Sequence, residues 1–123
     1  SNLVLKTDAQ GVLQTSSTHV FVDNNLGSVT STDAYQYVTG QDISNLTSYA
    51  FFTNNTGVND ATIKIQLSPD NTTWIDDSTE ISLASGDATI LTANKFLKYI
   101  RMGYISTTSE QSTTMSVIFQ GQS

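Results

Sequence analysis

The chain contains no cysteine, a single proline, a single histidine, and five basic residues against eleven acidic ones. Without cysteine there is no thiol nucleophile, no disulfide and no thiolate metal site. A net charge of −6 repels phosphate backbones and anionic lipid, which argues against nucleic acid and membrane surfaces as partners. No apolar run approaches the ~20 residues a membrane-spanning helix needs, so membrane insertion is not expected. The sequence does not open on Met and shows no signal-peptide pattern. It therefore reads as a processed or shortened form, and the question of export stays open.

What the chain has instead is neutral polarity. Ser, Thr, Asn and Gln fill 52 of the 123 positions, and charged residues are 13%, about half the usual ~25%. Such a surface suits exposed β-structure and surface proteins better than a cytosolic enzyme. The length is that of one domain, which can bury roughly two-thirds of the surface it exposes when unfolded.

Helix signals are weak throughout. Thr, Val, Ile, Tyr and Phe recur at period two between clusters of Gly, Asn and Asp, the pattern of short antiparallel strands. Leu3-Val4-Leu5-Lys6-Thr7, a turn at Asp8-Ala9-Gln10-Gly11 and Val12-Leu13-Gln14-Thr15 read as a hairpin. Further strands are expected over residues 19–22, ending at Asp23-Asn24-Asn25, and over 35–38 and 48–53, the last closed by a turn at Asn54-Asn55-Thr56-Gly57. The cleanest alternation is Thr62-Ile63-Lys64-Ile65-Gln66-Leu67, with Ile63, Ile65 and Leu67 on one side. Residues 80–83, 88–91, 96–105 and 113–120 complete the set, placing Ile100, Met102, Tyr104, Met115, Val117 and Phe119 inward. About nine strands imply an all-β fold, a single antiparallel sandwich of jelly-roll or immunoglobulin-like type, with a closed barrel as the alternative. Residues 1–15 form an N-terminal strand or hairpin segment available for donation to a neighbouring subunit, and residues 16–123 form the sandwich.

Three stretches resemble a known family: Thr7-Asp8-Ala9-Gln10-Gly11-Val12-Leu13, Ser68-Pro69-Asp70-Asn71-Thr72-Thr73-Trp74, and Phe96-Leu97-Lys98-Tyr99-Ile100-Arg101. Together they resemble an uncharacterised extracellular β-sandwich family of spore-forming Gram-positive bacteria, a domain of unknown function. Its members run TD-x-x-G-x-L into SPD-x-x-x-W and F-x-KY-x-R. The resemblance covers about residues 5–119. The glycine usual after the SPD turn is Asn71 here, a residue that also tolerates the left-handed region. The resemblance implies a β-sandwich and a surface setting, and it supplies no catalytic residues.

Few chemical groups stand out. His19 lies beside Val20-Phe21-Val22 without an evident nucleophile or orienting acid, so it reads as structural. Asp70, Asp76, Asp77 and Glu80 form the densest acidic stretch. It lacks the spacing of an EF-hand loop, and the adjacent Asp76 and Asp77 would point opposite ways on a strand, which leaves calcium at Asp70, Asp76 and Asp77 open. The three Asn-x-Ser/Thr triplets, at Asn45, Asn54 and Asn71, match the ~2.6 that composition alone gives. Lys64 lies opposite the apolar side of its strand, which disfavours an internal isopeptide bond unless that second face is covered.

The expected function is accordingly non-enzymatic and cofactor-free: a structural protein of a bacterial exterior, extracellular or on the cell or spore surface. Leu3, Val4 and Leu5 would supply a strand to the next copy in a homo-oligomer or homopolymer, a surface appendage, filament or coat. Few charges guard the strand edges against such pairing. The alternative is a carbohydrate- or cell-wall-binding module in which Trp74, Tyr35, Tyr37 and Tyr99 form a platform for a glycan.

Overall fold

A computed structural model describes residues 19–77 and 80–123. The expected hairpin of residues 1–15, with Leu3, Val4 and Leu5, lies outside the described residues. Among those described there are ten strands and no helix: β1 (Phe21–Thr30), β2 (Gln36–Tyr37), β3 (Gln41–Asp42), β4 (Ser48–Asn55), β5 (Ala61–Ser68), β6 (Ile75–Asp76), β7 (Ile81–Leu83), β8 (Ala88–Leu91), β9 (Tyr99–Ser106) and β10 (Thr114–Gln122). One sheet runs β1-β10-β4-β8 and the other β2-β9-β5-β6, with β3 also on β9 and β7 also on β5. Two sheets form, not a closed barrel, and the expected sandwich is the fold.

Alternation builds the core. Ile63, Ile65 and Leu67 of β5 pair across the second sheet with Tyr104, Met102 and Ile100 of β9, and all six are buried. The first sheet answers with Met115, Val117 and Phe119 of β10 beside Phe51 of β4, whose ring centroids lie 5.0 Å from those of Phe119. Thr53 reaches across between the layers, its hydroxyl donating to Met102 Sδ at 3.1 Å.

Three expected boundaries move. Asp23-Asn24-Asn25 does not end a strand: β1 continues to Thr30 through a bulge, with the register shifting between Asn25 and Gly27. Gly27 takes a φ of 80° and donates its amide to Asn25 Oδ1 at 2.9 Å, so one extra residue is absorbed and pairing resumes. Asn54 and Asn55 belong to β4, because the Asn55 side chain is wholly buried and hydrogen-bonded between the layers. Residues 96–98 precede β9 instead of opening it. The Asp77 carboxylate accepts the amides of Asn94 at 2.6 Å and Lys95 at 2.9 Å, which holds this stretch as a loop.

Candidate functional site

The outward side of the second sheet carries the chemistry. On β5, Thr62, Lys64 and Gln66 alternate with the buried isoleucines, and on β9 Arg101 and Gly103 alternate with Ile100, Met102 and Tyr104. Cross-strand pairing sets Gln66 beside Arg101 and Lys64 beside Gly103. Residues 35–37 then lie over β9, with Tyr37 opposite Gly103. A Cβ on Gly103 would come within 2.8 Å of the Tyr37 ring and 3.3 Å of the Tyr35 ring. The missing side chain is therefore what lets both tyrosines lie flat on the strand. Their rings stack at 6.2 Å and 17°.

Trp74 arrives from the opposite edge, brought there by the Ser68-Pro69-Asp70-Asn71 turn. Ser68 Oγ accepts the amides of Asp70 at 3.2 Å and Asn71 at 2.8 Å. The Asp70 carboxylate accepts the amides of Thr72 at 2.9 Å and Thr73 at 2.8 Å, and Asn71 sits at φ 66°, the left-handed conformation that a glycine would otherwise supply. The turn folds the chain back, so that Trp74 meets Arg101.

The cations occupy the space between these rings. Arg101 Cζ lies 3.8 Å from the centroid of Tyr37 and 4.2 Å from that of Trp74. Lys64 Nζ lies 4.1 Å from the centroid of Tyr35 and 3.1 Å from Asp76 Oδ1. Gln66 links the two, its Oε1 accepting Arg101 Nε at 2.9 Å and Nη2 at 2.7 Å, and its Nε2 donating to Asp76 Oδ1 at 2.8 Å. The Tyr35 hydroxyl donates to Glu80. Burial and that bond to Glu80 push the Tyr35 hydroxyl well above the usual phenol range. Gln66 and Lys64 together hold Asp76 below the usual carboxylate range, while desolvation pulls Arg101 down. The second face of β5 is thus covered, and Lys64 is held by Tyr35 and Asp76.

Of the four aromatics expected to form a platform, Tyr35, Tyr37 and Trp74 come together. Tyr99 lies two residues from Arg101 along β9, with Lys98 Nζ 5.4 Å from its ring centroid. The acidic stretch is divided among separate donors: Asp70 serves its own turn, Asp76 serves Lys64 and Gln66, and Asp77 serves the loop at Asn94 and Lys95. Among the described residues no group of three or more His, Cys, Asp or Glu side chains is placed to hold a metal ion. His19 is exposed. Sequence reasoning missed Arg101, Gln66, Lys64 and Gly103 as members of the cluster. Their signal was the polar half of the β5 and β9 alternation, set opposite the tyrosine pair.

Asp70 carries a pH dependence of fixed sign. The amides of Thr73 and Thr72 hold its carboxyl below the usual range in the folded chain. The stability it contributes is present above the ordinary carboxylate pKa of about 3.9 and declines as the pH falls below it. In urea titrations, Asp70→Ala is expected to have a lower midpoint than the parent at neutral pH, and that gap should narrow below about pH 4. A gap of constant size from neutral to strongly acidic pH would show that the ionised carboxylate is not what holds the turn.

Fold and face together define a β-sandwich domain whose second sheet carries an outward-facing cation–aromatic cluster. The chain belongs to the family described as Domain of unknown function (DUF6385), whose model matches residues 42–123. Among solved structures it is similar to the PBSX exported protein XepA, with a TM-score of 0.58 and 19% identity over 82% of this chain. The chain spans 36% of XepA, about a third of its length, and the likeness is one of fold. PirA aligns with a TM-score of 0.48 and 11% identity, covering 89% of this chain and 97% of PirA. No curated protein is detectably similar in sequence. No helix among the described residues is long and apolar enough to cross a membrane.

Proposed function

We propose that the chain is a non-enzymatic structural subunit of a bacterial exterior that assembles by β-strand addition, taking residues 2–7 of a second copy. The observation that carries this reading is on the outward side of the first sheet. Ile90 of β8, Phe52 of β4 and Ile118 of β10 form one row across three strands, paired in register. Ile90 is 67% exposed and Phe52 41% exposed, and Ala50 and Gln120 complete a shallow apolar depression there. No charged residue of β4, β8 or β10 points outward beside that row, an unguarded apolar surface of the kind that marks interaction sites.

At the end of this sheet β8 is a four-residue edge strand, paired only to β4 among the described residues. A strand added beside it continues the row, with Leu3 and Leu5, two apart, on the same side as Ile90. Fifteen residues lie between Leu5 and Phe21. At roughly 3.3 Å per extended residue, that length is ample for reaching a neighbour. The fold likeness to an exported protein, XepA, is in keeping with an extracellular setting.

Negative-stain electron microscopy and light scattering test the reading. The intact chain is expected to form particles larger than a monomer, whereas a chain lacking residues 1–15 and the Leu3→Asp, Leu5→Asp double variant stay monomeric. A monomeric parent, or a double variant that assembles like the parent, would overturn it.

A second reading, a carbohydrate- or cell-wall-binding module, is favoured by a separate observation: Tyr35, Tyr37 and Trp74 meet on one outward face around Arg101. Trp74→Ala should abolish glycan binding there, as read on a glycan array with the intact chain.

A further inference from the structure

Arg101 is a half-buried cation that has no counter-ion among the described residues. Among the described residues it forms no ion pair, since the nearby carboxylate of Asp76 is taken by Lys64 and Gln66. Its only polar partner there is a neutral amide oxygen, Gln66 Oε1, which accepts from Nε and from one hydrogen of Nη2. A guanidinium offers five N–H donors, so both hydrogens of Nη1 and the second of Nη2 have no acceptor among the described residues. One hydrogen of Nη1 and the second of Nη2 lie side by side at the end of the guanidinium, the geometry that a carboxylate meets with two parallel hydrogen bonds. Tyr37 and Trp74 fix the guanidinium plane, and Gln66 fixes its rotation, so the fork is set before any ligand arrives.

We infer that this face is a binding site for an acidic saccharide, with the Arg101 fork taking the carboxylate of a uronic acid ring beside the exposed margins of Tyr37 and Trp74. The inference rests on the carbohydrate-binding reading and adds the charge of the ligand. Tyr37 is 36% exposed and Trp74 is half-buried, and with the guanidinium stacked on both rings it is their outer margins that border the fork. A peptide carboxylate fits less well. Arg101 lies on β9, an interior strand with β5 on one side and β2 on the other, so no sheet edge is open beside it for a peptide backbone to join.

Calorimetric titration of the intact chain with oligogalacturonate, and with the same oligosaccharide methyl-esterified, tests this without any variant. Binding of the acid form, at least about tenfold tighter than the neutral ester, is the expected result, as loss of a charge-assisted fork demands. Arg101→Gln should bring the acid form down to the level of the ester. Arg101→Lys should not restore it, since an ammonium has neither the fork nor the planar stack. Equal binding of acid and ester would overturn the inference and leave the carbohydrate reading standing. No binding of either would remove both, and capture of C-terminal peptide carboxylates in place of the sugar would overturn the saccharide assignment.

Discussion

Asn55→Ala is expected to cost about 3–4 kcal/mol of unfolding free energy, because it leaves several buried partners unsatisfied at roughly 1–3 kcal/mol each. Asn55 is fully buried at the end of β4. Its Nδ2 donates to the carbonyl oxygens of Asn59 at 2.8 Å and Leu83 at 3.0 Å. Its Oδ1 accepts the Gly57 amide at 3.2 Å and the Thr113 hydroxyl at 2.8 Å. One side chain thus ties β4 to the loop before β5, to β7 and to the entry of β10. Alanine supplies none of these bonds, and at the buried Leu83 and Thr113 bulk water cannot replace them. For a chain of this size the loss corresponds to a fall in Tm of about 10–15 °C. Asn55→Asp is expected to be at least as damaging, since a carboxylate faces the two carbonyls without a hydrogen to donate. Urea unfolding at constant m measures both, and a cost under about 1 kcal/mol would show that the hub is idle.

Phe51→Ala is expected to cost about 3–5 kcal/mol, the range for emptying a large buried aromatic site. The ring is fully buried and tilted at 55° against Phe119, so the substitution removes both apolar burial and an aromatic contact. The neighbouring Phe52 gives the contrast. Its side chain points outward and is 41% exposed, so Phe52→Ala should cost under about 1 kcal/mol in the same assay. Two adjacent phenylalanines with equal costs would mean that the alternation along β4 is not what decides burial.

Alternation also accounts for what could be read in advance. β5, β9 and β10 carry enough apolar residues at every second position for their inward faces to be assigned from sequence. The Phe51-Phe52 pair marks a strand, but nothing local tells which ring turns inward; that follows from pairing with Phe119 and Leu91. Asp23-Asn24-Asn25 reads as an ending because Asp and Asn are turn formers, yet Gly27 and the Asn25 side chain convert it to a bulge inside a ten-residue strand. Asn55 reads as a turn residue for the same reason, and its burial is decided by Thr113 and Leu83, which are remote in sequence.

The candidate site divides along the same line. Tyr35, Tyr37 and Trp74 can be picked out as aromatics, and the Asp70 turn that delivers Trp74 follows from its own side chains. Arg101, Gln66 and Lys64 look like a solvated face until residues 35–37 fold over β9, a contact no local pattern announces. Gly103 is likewise an unremarkable strand glycine until the tyrosine rings lie across it.

The position of β10 has a consequence for synthesis. It lies between β1 and β4, and pairs Phe21 with Gln122 and Ser48 with the same Gln122. Until β10 has cleared the ribosome, β1 has no neighbour among the described residues and the first sheet has no centre. Of the early strands, β1 must wait for β10, and closing such a long-range pairing is slow. The second sheet can pair once β9 is made, whereas the first gains its centre only when β10 arrives.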